Sequence, residues 1–198
     1  MTAVILECKQ ASKKLHIEKL DVDGIKLRVG IRPGKGTPLL LFNGIGANME
    51  LAEPFISALK DREIIAFDAP GIGGSGNWLI PRRFSGIAKL TAKMLDRLGY
   101  REVDVAGVSW GGALAQQFVK QYAGRCRKLI LAATSPGALM IPGKPSVLMK
   151  MATPYRYLSG KYMSKVAADI YGGEVRGDPN LIAQHSARIR PPTLRGYV

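Results

Sequence analysis

The chain has 198 residues, 46% of them hydrophobic and 22% charged, with a formal net charge of +14. That length allows one domain with a real core, and the composition is that of an ordinary globular chain. The charge raises nucleic-acid binding, but Lys and Arg are dispersed, with no basic run interleaved with aromatics. A solvated surface is therefore expected, with no nucleic-acid partner and with an anionic or granule surface as its remaining use.

In chain order, the start MTAVILECKQ does not read as a signal peptide, because its apolar run is only Val4-Ile5-Leu6 and Glu7 follows at once. No segment offers the long uncharged apolar run of a transmembrane helix. Cys8 and Cys126 lack metal-ligand spacing and read as reduced thiols of a cytoplasmic protein. His16–Leu20 and Ile25–Ile31 flank Asp21-Val22-Asp23-Gly24, which predicts a β-hairpin. Pro33-Gly34-Lys35-Gly36 reads as a loop, and Leu39–Phe42 as a strand buried on both faces. After the turn Asn43-Gly44-Ile45-Gly46 come a helix over Leu51–Leu59 and a buried strand over Ile64–Phe67.

Ser85 is placed to cap a helix running to Leu98, with Ile87, Leu90, Met94, Leu95 and Leu98 on one face and Gly99 ending it. Val103–Gly107 reads as a strand, Gly112 to about Tyr122 as a helix, and Leu129–Ala133 as another buried strand. A hairpin followed by strand–helix units predicts an α/β protein with a largely parallel sheet. After Thr134 the texture changes: Pro136, Pro142, Pro145 and Pro154 punctuate it, and Met140, Met149, Met151 and Met163 lie there. Residues 1–135 are expected to form the sheet core, and 136–198 the beginning of a cap or lid.

Val103-Asp104-Val105-Ala106-Gly107-Val108-Ser109-Trp110-Gly111-Gly112 contains Gly-x-Ser-x-Gly between an apolar strand and a helix with small residues. This is the setting of a nucleophile elbow, in which a strained turn lifts the serine oxygen above the sheet. Gly107 and Gly111 leave room for neighbouring backbone. A tetrahedral oxyanion needs N–H donors. The candidates are the N–H of Trp110 and, in the Gly-rich loop after Leu39–Phe42, that of Ile45. Ser109 also needs a base, which in this fold follows the serine and an acid in chain order. Only His16 and His185 exist. His16 precedes Ser109, and His185 falls in the expected lid. Gly71-Ile72-Gly73-Gly74-Ser75-Gly76 formally matches a dinucleotide fingerprint but does not open a helix, so no cofactor and no metal are expected. Asp68 reads as a turn-stabilising carboxylate.

Phe42-Asn43-Gly44-Ile45-Gly46-Ala47-Asn48, Phe67-Asp68-Ala69-Pro70-Gly71-Ile72-Gly73-Gly74-Ser75 and Gly107-Val108-Ser109-Trp110-Gly111-Gly112-Ala113-Leu114-Ala115-Gln116-Gln117-Phe118 resemble the intracellular medium-chain-length poly(3-hydroxyalkanoate) depolymerases of the α/β-hydrolase superfamily. Leu131-Ala132-Ala133-Thr134, Pro142-Gly143-Lys144-Pro145, Ile170-Tyr171-Gly172-Gly173 and Gln184-His185 continue the likeness. The resemblance implies an α/β-hydrolase fold and a cytoplasmic, granule-associated serine esterase. Its substrate would be the storage-granule polyester, cleaved through an acyl-enzyme on Ser109. It also implies that family members continue beyond the point matched by Val198, with their triad acid and histidine in that later part. The chain is therefore expected to be the front part of such an enzyme, impaired in catalysis, with the strand around Leu129–Ala133 left as an exposed apolar edge. Two other functions stay open: a carboxylesterase or lactonase for small acyl esters, and a non-catalytic granule-binding protein on the same scaffold. Oligomeric state is not legible.

Overall fold

The structure, a computed structural model, describes residues 14–78, 82–135, 144–153, 155, 159–172 and 178–188. Cys8, Pro81, Pro136, Met140, Pro142, Pro154 and Gly173 lie outside the described residues. Six strands form one sheet in the order β1-β2-β4-β3-β5-β6. They are β1 (His16–Val22), β2 (Ile25–Arg32), β3 (Lys35–Phe42), β4 (Arg62–Phe67), β5 (Val103–Val108) and β6 (Cys126–Ala132). β1, β2 and β4 pair antiparallel, whereas β4-β3, β3-β5 and β5-β6 pair parallel. This is the α/β architecture that the strand–helix alternation predicts.

The hairpin is tighter than its sequence suggests. Val22 pairs with Ile25, leaving only Asp23 (φ 53°) and Gly24 (φ 77°) in the turn. Two successive positive φ values are what a two-residue turn with the sheet's own twist requires. Alternation along the inner strands divides the core. Leu40, Phe42, Ile65 and Phe67 face α2 (Phe84–Arg97) and α3 (Trp110–Gln121), packing with Leu90, Met94, Leu114 and Phe118. Leu39, Leu41, Ile64 and Ala66 face the other way, against Met49 and Ile56. Met49 lies in a 3-10 turn (Met49–Ala52) that leads into α1 (Glu53–Ala58). Both faces of β3 and β4 are thus covered, which explains their unbroken apolar runs.

Four expectations are corrected. Ser85 is the second residue of α2, not its cap. Arg83 precedes the helix in extended conformation without a side-chain capping bond. Lys35 and Gly36, expected in a loop, open β3, because Lys35 pairs with Arg62 before the register shifts at Leu39. The helix expected from Gly112 starts at Trp110. The strand expected at Leu129–Ala133 runs from Cys126 to Ala132 and is not buried: Ile130 is 54% exposed, and Leu129 and Leu131 are exposed too. β6 pairs with β5 on one side and is the outermost strand of the described sheet. The other end of α2 matches its expectation. Gly99 (φ 80°) donates to Asp96 O at 3.1 Å and Tyr100 N–H to Leu95 O at 2.9 Å, a Schellman closure.

Beyond β6 the described chain holds three helices, α4 (Pro145–Ala152), α5 (Gly160–Tyr171) and α6 (Pro179–Arg188). The Ser159 side chain caps α5 by accepting the Tyr162 N–H at 3.2 Å, and Gly172 (φ 61°) ends it. Met163, Val166 and Ala167 of α5 bury themselves against Ile182 of α6 in a small apolar cluster.

Candidate active site

β5 delivers Ser109 to the end of the sheet, and α3 begins with the next residue. Ser109 has φ 54° and ψ −119°, a backbone conformation costly for any residue but glycine. Three contacts hold it there. Its N–H donates to Ala132 O at 3.0 Å, its carbonyl accepts the Gly112 N–H at 2.9 Å, and the Thr134 hydroxyl donates to that same carbonyl at 2.7 Å. Thr134 has no role in the sequence reading beyond its place in the family-like run. Its position one turn after β6 was its only signal.

The flanking glycines are steric necessities. A Cβ on Gly107 would stand 2.5 Å from Gly111 O and 2.8 Å from Ala115 Cβ, and one on Gly111 would overlap the Phe42 and Asn43 carbonyls. β3's loop and the start of α3 are therefore packed backbone to backbone. The loop bearing Ile45 comes to the same place, since a Cβ on Gly44 would be only 3.9 Å from Ser109 Cβ. Gly46 (φ 67°) turns the loop, and Ala47 N–H closes it on Gly44 O at 3.1 Å. Trp110, first residue of α3, has an N–H with no intrahelical acceptor, at the positive end of the helix dipole. Its ring packs on Phe84, centroids 5.1 Å apart. Ser109, Trp110, Gly107, Gly111 and the Ile45 loop thus share one corner of the molecule.

The histidines do not join them among the described contacts of Ser109. His16 is exposed on β1, opposite Ile31. β1 stands four strands from β5, about 19 Å at the usual strand spacing. His185 sits on α6, half-buried, in the wall of a cavity of about 300 Å³ shared with Leu51, Pro54, Leu181 and Arg188. Burial, then the neighbouring Arg188, lowers its pKa.

Asp68 is wholly buried at the end of β4. Its carboxylate does not stabilise the following turn as expected: the turn is held by the Asp68 backbone carbonyl, which accepts Ser75 Oγ at 2.6 Å, and the carboxylate reaches elsewhere. Oδ1 accepts the Met49 N–H at 2.8 Å and Oδ2 accepts Arg28 Nη1 at 2.7 Å. Burial raises its pKa against the lowering effect of those bonds. The loop after it is glycine-rich for packing: a Cβ on Gly73 would overlap the Asp68 carboxylate, and one on Gly74 would meet Arg28 Cδ at 2.8 Å. Nothing in the sequence singled out Arg28, although it interrupts the apolar residues Leu27 and Val29 of β2. Among the described residues no three His, Cys, Asp or Glu side chains gather as a metal site.

Residues 37–170 match the family model described as alpha/beta hydrolase fold. The chain belongs to that family. As an α/β hydrolase it is 55% identical over 181 residues to a poly(3-hydroxyalkanoate) depolymerase of Ectopseudomonas oleovorans, covering 90% of this chain and 64% of that protein. The chain thus spans less than two thirds of that relative's length. Among solved structures it resembles an enol-lactonase from Burkholderia xenovorans LB400, with TM-score 0.69 and 19% identity over 91% of this chain and 70% of the other. It also resembles the epoxide hydrolase CorEH, with TM-score 0.68 and 20% identity over 93% and 70%. Those two likenesses are likenesses of fold. No helix of the described α/β hydrolase residues is long and apolar enough to cross a membrane.

Proposed function

We propose that this chain is the Ser109-bearing part of a serine hydrolase for medium-chain 3-hydroxyacid polyester. The single observation that carries the chemistry is the backbone of Ser109: a serine at φ 54° between glycines that admit no Cβ, at the head of a helix. The likeness to the depolymerase supports the substrate class. In the proposed reaction Ser109 Oγ attacks the ester carbonyl and gives up its proton to a base. The oxyanion is held by the N–H groups of Trp110 and Ile45. The tetrahedral adduct expels the alcohol end of the polymer, which takes the proton. Water then releases the hydroxyacid and restores the serine. Helices α4–α6 would begin the lid over this corner, and the protein would work at the surface of polymer granules.

A second reading is granule binding without turnover, favoured by the placement of His16 and His185 away from the described contacts of Ser109. Both readings are tested by incubating the purified chain with medium-chain polyester granules and with p-nitrophenyl octanoate, beside Ser109→Ala. Acid release lost in Ser109→Ala supports the hydrolase. Granule binding that survives Ser109→Ala, with no acid release from either protein, replaces it with the binding role.

A further inference from the structure

The loop that carries Ile45 is tied down by a buried chain of polar side chains. Asp68 holds the Met49 N–H through Oδ1 and Arg28 through Oδ2. Arg28 spans from Asp68 to Glu50, with Nη2 2.6 Å from Oε1 and Nη1 3.2 Å from Oε2. Glu50 Oε2 in turn accepts Asn48 Nδ2 at 2.6 Å. An amide nitrogen has two hydrogens. Asn48 Nδ2 uses the second on Arg188 O, 2.9 Å away, at the last residue of α6. Asn43 Nδ2 closes the loop by donating to Asn48 O at 3.3 Å.

Five segments therefore meet: β2, the end of β4, the Asn43–Asn48 loop, the Met49–Ala52 turn and α6. Asn48 is fully buried, although its side chain is polar, and its partners satisfy it. The loop itself has two glycines and little ladder bonding, so its shape depends on these anchors. Donors for an oxyanion are effective only when fixed before the charge develops.

We propose that Arg28, Asp68, Glu50 and Asn48 are positioning residues that fix the Ile45 loop, and that Asn48 couples that loop to the docking of α6. The oxyanion part of this rests on the Ser109 hydrolase reading; the coupling does not. Coupling is reciprocal, so disturbing either end disturbs the other.

The test is hydrogen exchange on the 198-residue chain and two variants. Asn48→Ala is expected to speed exchange about tenfold both in residues 44–51 and in residues 180–188, with β3 and β5 unchanged. Ile182→Ala loosens α6 from Met163 and Val166 without touching the network, and it too is expected to speed exchange in residues 44–51. A loop that stays protected in both variants overturns the coupling, as does a uniform rise that includes β3 and β5. On p-nitrophenyl octanoate, Asn48→Ala is expected to lower kcat at least about tenfold with KM within about twofold. A loss confined to KM overturns the positioning role. A wild-type chain without turnover agrees with the impaired catalysis expected from its sequence, and exchange alone then decides the network.

Discussion

Ser109 holds a conformation that costs an L-residue about 1–3 kcal/mol, and three hydrogen bonds keep it there. Two variants without the Ser109 hydroxyl isolate the strain of the turn. Ser109→Gly is expected to be more stable than Ser109→Ala by about 1 kcal/mol, a difference of about 2–4 °C in Tm for a chain of this size. Equal melting temperatures would show that the turn is unstrained. Gly111→Ala forces a methyl into the Phe42 and Asn43 carbonyls, so a loss of about 3 kcal/mol or more in urea unfolding is expected. Gly124→Ala is its control, because nothing lies within 4 Å of a Cβ there. The elbow was legible because its glycines, serine and flanking apolar run are local. The role of Asp68 was not legible: position suggested a turn-stabilising carboxylate, but its partners Arg28 and Met49 come from segments 40 and 19 residues away.

Among the elements, β6 departs furthest from its sequence. The apolar run Leu129–Ala133 by itself reads as a buried strand, and the family resemblance makes it an exposed edge in this chain; Leu129, Ile130 and Leu131 are exposed, and the strand's outer edge is unpaired by any described strand. An apolar edge of this kind invites association between chains. The chain is expected to run as oligomers or aggregates in size-exclusion chromatography, and Ile130→Lys to raise the monomer fraction. A monodisperse wild-type monomer would show that this edge is inert. Sequence predicts that a strand is apolar, but burial depends on what lies against it. The same limit moved the start of α2, where Ser85 had the chemistry of a cap but Arg83 has the backbone conformation of one.

For the whole molecule, acid is the informative perturbation. The hydrogen bond from Arg127, aided by Arg62, holds the buried Asp104 carboxyl at about 2. Burial works to raise Glu50, but the bonds from Arg28 and Asn48 outweigh it and hold it at about 2. Both carboxyls titrate near 4 when unfolded. The unfolded chain therefore binds protons first, so their stabilisation is full above about pH 4 and is lost as pH falls towards 2. Asp68, raised by burial, acts in the opposite sense. Asp104→Asn is expected to flatten the loss of Tm between pH 4 and 2.5, and an unchanged slope would place the acid sensitivity elsewhere. By itself the sequence determined the α/β class, the hairpin, the amphipathic α2 and the elbow around Ser109, because each is written in periodicity, turn chemistry or a contiguous motif. Only the tertiary structure decided that Arg28, Glu50 and Asp68 share one buried network and that Asn48 reaches the Arg188 carbonyl of α6. Those outcomes depend on strand order and on side chains far apart in the chain, and no local pattern encodes them.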